Sequence, residues 1–320
     1  MSIPISEPTG PTVFERLSWR SMPVAADVAH GSVKLRIGEV GERGPRTLLT
    51  AGVHGDEGPW GALAIRRALE QPITRLEGRL TVILAANPLA QQADSRNAPL
   101  DHLDLNRSFP GDAEGSHTQR LAAELALLIE SADVAMDLHG GGSWCVNAFT
   151  FRMPGGEALA ARTGAPFVLD APDKVGTLSR HAADHGARVV ALEMGGRSRN
   201  EMMWADRVAH AVRGVLVEAG TFGEEGEPFP APPVRVTDSS VLTPPVGGIF
   251  VPTLREESVG TVVEGGTELG RVLDAATLET LHVFTAPHRR TALMLLRPHV
   301  AVLPGGSMTY VVAIPEETER

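Results

Sequence analysis

Short apolar runs alternate with amphipathic stretches over the first two-thirds of the chain. "RTLLTAGVH" (46–54), "RLTVILAAN" (79–87), "DVAMDLH" (133–139) and "ARVVALEMGG" (187–196) are near-continuous apolar segments. Runs of that kind predict strands buried on both faces. Between them, "GPWGALAIRRALE" (58–70), "HTQRLAAELALLIE" (117–130), "GTLSRHAADHG" (176–186) and "RNEMMWADRVAHAVRGVLVEAG" (199–220) repeat apolar positions at helical spacing. Pro59 suits a first turn, and Gly186 and Gly220 stand where helices stop. Ahead of these, "GSVKLRIGEVG" (31–41) alternates like a half-buried strand. Strands alternating with helices predict an α/β domain with a mostly parallel sheet flanked by helices.

The pattern changes after Gly220. "TFGEEGEPFPAPPVRV" is rich in Glu, Gly and Pro and reads as a linker. Beyond it, "GGIFVP", "VGTVVEGGTELGRVL", "HVFTAP", "TALMLL" and "VLPGGSMTYVVAI" are short strands between Gly and Pro turns. The expectation is two units: a catalytic α/β domain over 1–230 and a smaller all-β domain over 231–320.

Bulk properties narrow the classes. The 320 residues are 42% hydrophobic and 21% charged, an ordinary soluble composition in which a large core needs no metal or disulfide support. Net charge is −10, and Lys34 and Lys174 are the only lysines, so a nucleic-acid partner is not expected. Nor is there a polybasic stretch for anionic lipid. Cys145 is the single cysteine, so no intrachain disulfide forms. The N-terminal residues lack a signal-peptide pattern, and no uncharged apolar run reaches about 18 residues. A cytoplasmic protein with no membrane partner is expected, with the oligomeric state, homo-oligomer included, left open.

The candidate chemistry sits where the strands end. Active sites of parallel α/β sheets lie at the carboxyl ends of strands. His54 and Glu57 follow the first buried run, Asn87 the second, His139 the third, and Glu193 lies near the end of the fourth. Two histidines and two glutamates on one edge suit a catalytic zinc site with an open position for water. Taken alone, H-x-x-E is equally a helix start with a capping carboxylate.

Four motifs in order change that balance: "HGDE" after a strand, "LDLNRSFPG" (103–111), "DLHGG" (137–141) and "ALEMGG" (191–196). Together they resemble the succinylglutamate desuccinylase/aspartoacylase family of the zinc carboxypeptidase superfamily, over nearly the whole chain. The resemblance implies one Zn2+ per chain, held by His54, Glu57 and His139. It implies Glu193 as the carboxylate that activates water and later protonates the leaving amine. Asn106 and Arg107 match the pair that grips a substrate carboxylate, and Arg96 matches an arginine that helps bind substrate and polarise the scissile carbonyl. Asp104 matches a carboxylate that orients a ligand histidine. The competing readings are a structural ion pair for Arg107, an exposed loop position for Arg96, and for Asp137, in phase with His139, either a ligand-orienting group or a capped polar residue. Asp56 reads as a turn residue, Cys145 as a small core residue, and His102, His117, His181, His185 and His288 as surface residues.

The resemblance therefore implies a zinc-dependent deacylase acting on a small N-acyl amino acid, and "NRSFPG" and "EMGG" are similar to the bacterial N-acetyl-diaminobutyrate deacetylase branch. The rivals are a metallocarboxypeptidase and a catalytically silent ligand-binding relative. Peptide-cleaving zinc carboxypeptidases use a tyrosine late in the catalytic domain, whereas the only tyrosine here is Tyr310, in the C-terminal part. That part resembles a barrel-sandwich fold of the biotinyl/lipoyl type, but it contains no lysine to carry a swinging arm.

Overall fold

The computed structural model describes residues 10–28, 31–57, 60–196, 201–223, 231–298 and 301–316. Pro59, most of the Glu/Gly/Pro-rich stretch and the expected boundary at 230/231 fall outside or at the edge of those residues. The chain runs through β1 (Ser18–Val28), β2 (Gly31–Val40), β3 (Arg46–Ala51), α1 (Trp60–Glu70), β4 (Arg79–Ile83), α2 (Pro88–Gln92) and α3 (His117–Ile129). It continues with β5 (Val134–His139), β6 (Val146–Arg152), α4 (Glu157–Ala161), β7 (Phe167–Asp170), α5 (Leu178–Asp184), β8 (Arg188–Gly195) and α6 (Glu201–Glu218). Then come β9 (Val234–Leu242), β10 (Gly248–Pro252), β11 (Val262–Glu264), β12 (Glu268–Leu273), β13 (Thr280–Thr285), β14 (Arg290–Leu296), β15 (Ala301–Val302) and β16 (Tyr310–Pro315).

Among the described residues, twelve strands form one sheet in the order β1-β2-β4-β3-β5-β8-β6-β7-β9-β16-β14-β11. The four continuous apolar runs become its central block, β4-β3-β5-β8, which is parallel throughout. Strand periodicity sends their side chains to two cores. Leu49, Met136, Leu138, Val190 and Leu192 pack with Trp60, Ile65, Val208 and Val212 of α1 and α6. Leu48, Ala135 and Val189 pack with Leu121, Leu125, Leu178 and Ala182 of α3 and α5. By the same parity Asp137, His139 and Glu193 stand on the α3/α5 face.

The sheet as a whole is mixed, not mostly parallel. β2 and β6 flank the central block antiparallel and β1 pairs antiparallel with β2, while on the far side of β9 the strands β16, β14 and β11 continue the sheet antiparallel to one another. Of these pairs only β1 and β2 are consecutive strands; the others are long-range pairings that the local apolar pattern does not specify.

The C-terminal residues do not stand apart as a closed all-β body. β9 lies parallel to β7, and β14 pairs with both β16 and β6, so four of their strands extend the main sheet. The remaining four form a small sheet, β13-β12-β10-β15. Phe250 of β10 meets Phe284 and Tyr310 edge to face, with ring centroids 5.7 and 6.0 Å apart. The same apolar cluster that contains Trp60 and Val212 reaches Phe250 and Tyr310. Strand and turn spacing identify such a region as β but carry no information about which sheet its strands join. No helix among the described residues is long and apolar enough to cross a membrane.

Candidate active site

β3 ends at Ala51, and the chain then turns sharply over α2. A Cβ on Gly55 would lie 2.0 Å from the carbonyl carbon of Ala90, so only glycine allows the turn to seat this closely. The short 3-10 turn Gly55–Glu57 folds Glu57 back beside His54, and both side chains are buried. On the neighbouring strands, His139 of β5 lies in register with Glu193 of β8. A second 3-10 turn, Leu105–Arg107, is capped by Asp104, whose side chain accepts from the Asn106 backbone N–H at 2.8 Å.

Glu57 sits between the two histidines. Its Oε1 is 2.5 Å from His54 Nδ1 and its Oε2 is 2.8 Å from His139 Nδ1. The opposite ring nitrogens face other carboxylates: His54 Nε2 is 3.1 Å from Asp104 Oδ1, and His139 Nε2 is 2.9 Å from Asp137 Oδ2. Asp137 is fully buried and accepts further hydrogen bonds from Thr50 at 2.8 Å and Ser179 at 3.3 Å. Arg96 donates to Asp104 Oδ2 at 2.9 Å and has its Nη1 3.6 Å from Glu57 Oε1.

A cleft of about 90 Å³ opens beside this cluster, lined by Asn106, Arg107, His139, Lys174, Ser179 and Glu193 among others. Glu193 Oε2 accepts from the Asn147 amide at 2.8 Å. Asn106 Oδ1 accepts from the Leu178 backbone N–H at the start of α5, at 2.9 Å. Arg107 donates to the Asn106 carbonyl.

Charge in the cluster is strongly coupled. Burial alone would raise Glu57, but His54 and His139 outweigh it and hold the carboxyl well below its usual range. Burial likewise opposes protonation of His139, and the carboxylates of Asp137 and Glu57 reverse the effect and push it well above the ordinary histidine value. Glu193 goes the other way: burial, opposed by His139, pushes it up to about 7. The Cys145 thiol is pushed up to about 12, by burial and then by the charge on Glu193, so it is not a thiolate nucleophile at neutral pH.

The donor set fits a divalent ion. With its Nε2–H donated to a carboxylate, a neutral ring at either position would turn its Nδ1 lone pair toward Glu57. Two lone pairs facing two carboxylate oxygens repel unless a cation, or two extra protons, lies between them. His54, Glu57 and His139 each offer a ligand atom within 4.8 Å of the others. Imidazole and carboxylate in this ratio suit zinc.

The expected residues His54, Glu57, His139, Glu193, Asp104, Asn106, Arg107 and Arg96 are thus gathered in one region. Asn87 is not part of it and caps α2, accepting from the Ala90 N–H at 3.3 Å. Asp56 is buried, with one carboxylate oxygen lacking a hydrogen-bond partner. His117 and His181 are buried, contrary to their expected surface positions, because they lie on the inward sides of α3 and α5. Sequence reading passed over Asn147 and Ser179. "GGSWCVN" drew attention to its cysteine, yet Asn147 is the residue that touches Glu193.

Comparison with known proteins identifies the family of the chain. The succinylglutamate desuccinylase/aspartoacylase catalytic domain matches residues 43–219. N-alpha-acetyl-L-2,4-diaminobutyric acid deacetylase of Halomonas elongata is 38% identical over 126 residues, which is 38% of this chain and 36% of that protein's length. Among solved structures, a succinylglutamate desuccinylase from Silicibacter sp. TM1040 superposes with a TM-score of 0.78 at 25% identity, covering 99% of this chain and 100% of the other. The product-bound ectoine utilization protein EutE (DoeB) of Ruegeria pomeroyi gives a TM-score of 0.77 at 25% identity over 98% of each chain. With a catalytic-domain match over more than half its length, this chain belongs to the succinylglutamate desuccinylase/aspartoacylase family.

Proposed function

We propose that the protein is a zinc-dependent deacylase that hydrolyses the amide bond of an N-acyl amino acid to a carboxylic acid and a free amine. The observation that carries this reading is the placement of Glu193, in register with His139 and beside a cluster in which both histidine Nδ1 atoms converge on Glu57. His54, Glu57 and His139 would hold one zinc ion. Bound there, zinc supplies Lewis acidity toward the substrate carbonyl and the attacking water.

The chain's own groups supply the rest. Glu193 accepts a proton from water as the oxygen adds to the carbonyl carbon, then returns a proton to nitrogen as the carbon–nitrogen bond breaks. A carboxyl pushed up to about 7 exchanges protons at neutral pH in both directions. Asn147 fixes its orientation. Arg107 offers a planar fork to the substrate carboxylate, and Asn106, whose Oδ1 is engaged by Leu178, offers its Nδ2 beside it. Asp104 and Asp137 orient His54 and His139. Arg96 is engaged with Asp104 and faces Glu57, so it acts through those carboxylates or exchanges a partner to reach the carbonyl.

Residues 231–320 shape access to the cleft without supplying chemistry. In support, Arg297 stacks over the ring of Trp144, in the turn after His139, at 5.1 Å. The peptidase alternative is weakened by Tyr310, whose hydroxyl is buried and donates to the Leu269 carbonyl at 3.0 Å. A screen of N-acyl amino acids with amine release as the readout tests the reading. Zinc-loaded protein that releases no amine from any of them while cleaving C-terminal peptide bonds would overturn it.

A further inference from the structure

Glu130, His181 and His185 form a second group of metal-type donors outside the candidate active site. His181 and His185 are four residues apart at the end of α5, so their rings share one face of the helix. Glu130 follows the last residue of α3 and brings its carboxylate to that face. Its Oε1 lies 3.1 Å from His181 Nε2 and 3.7 Å from His185 Nε2.

Those separations match a chelate. Ligand atoms about 2.0–2.1 Å from a tetrahedral ion stand about 3.3 Å from one another, and the two distances from Glu130 bracket that spacing. The tautomer is also set. His185 Nδ1 donates to the His181 carbonyl at 2.8 Å, which leaves its Nε2 lone pair free to ligate. The ring of Phe109 lies roughly parallel to that of His181, with centroids 6.2 Å apart. Glu130 and His185 remain open to solvent, with side chains 38% and 41% exposed, so an ion can enter and keep water as its fourth ligand. Two imidazoles and one carboxylate select borderline transition ions over calcium or magnesium, which take oxygen ligands.

We propose that Glu130, His181 and His185 form a second divalent transition-metal site, of zinc class, that ties the end of α3 to the end of α5. The site is independent of the proposed catalytic zinc. It clamps the helix whose first turn engages Asn106 through Leu178 and Asp137 through Ser179.

Equilibrium dialysis of chelator-stripped, full-length protein against Zn2+ tests this. Wild type should take up two equivalents. His139→Ala, His185→Ala and Glu130→Gln should each hold one, and a His139→Ala/His185→Ala double variant none. In the His139→Ala background, Co2+ should give visible absorption bands that His185→Ala abolishes. One equivalent in wild type that His139→Ala removes, or two equivalents that persist in both His185→Ala and Glu130→Gln, would overturn the proposal. The catalytic assignment fails separately, through a total stoichiometry that His139→Ala does not lower from the wild-type value.

Discussion

The Asp137 carboxylate lies 2.9 Å from Nε2 of His139, two residues along the same strand face, and is itself held by Thr50 and Ser179. An imidazole backed in this way presents Nδ1 in one tautomer and one orientation. Asp137→Asn keeps the volume but weakens that backing, so zinc affinity should fall by about 10- to 100-fold. Chelator competition on the purified variant measures it, and an affinity equal to wild type would show that the contact does not orient the ligand.

Glu193→Gln should retain zinc and lose about two to four orders of magnitude in kcat, the span of acid–base catalysis. Its stability should move the other way. A carboxyl whose folded pKa is raised binds more protons folded than unfolded, so it costs stability as pH rises from the unfolded value toward about 7. Removing it should therefore raise the Tm of the metal-free protein above pH 7 and leave it unchanged below pH 4. A folded, zinc-loaded variant with near-normal kcat would remove Glu193 from the mechanism.

Asn147 donates to Glu193 and favours its charged form. The base must be deprotonated to act, so kcat/KM should rise with pH through the pKa of Glu193. Asn147→Leu should move that acid limb to higher pH while zinc content stays constant. A profile that scales down without shifting would assign Asn147 to packing alone.

Arg107 keeps its charge but loses its fork in Arg107→Lys. The expected result is a KM raised for N-acyl amino acids and little changed for the corresponding acyl amides, which lack the carboxylate. Equal effects on both series would put carboxylate recognition elsewhere.

Arg297→Ala removes the stack on Trp144, a contact of about 0.5–1 kcal/mol at an exposed site. KM should shift by roughly two- to five-fold, unequally across acyl groups of different size, with zinc content unchanged. Loss of zinc would tie residues 231–320 to the metal centre directly.

The positions of His54, Glu57, His139 and Glu193 were legible because each lies at or just past the end of a continuous apolar run, and such runs end on one edge of a parallel sheet. Asp137 was half legible, since strand parity puts it on the face of His139 but cannot say that its carboxylate reaches the ring. Asn147 was not legible. It reaches Glu193 because β6 runs antiparallel to β8, and neither β6 nor its direction stands out in a segment with mixed polarity. His181 and His185 read as scattered surface histidines because their third partner, Glu130, is 51 residues away from His181 on another helix. The attachment of β9, β16, β14 and β11 to the main sheet is a long-range pairing that local spacing does not encode.

β16 (Tyr310–Pro315), later in the chain than every other strand of the main sheet, lies between β9 and β14 in the interior of the sheet order. On the ribosome, both flanking strands emerge first and wait with an unpaired edge until this one inserts. The main sheet therefore cannot close until β16 has emerged. A chain cut ahead of Tyr310 would leave two open backbone edges beside an incomplete core, which makes such a fragment a candidate for aggregation rather than a shortened working enzyme.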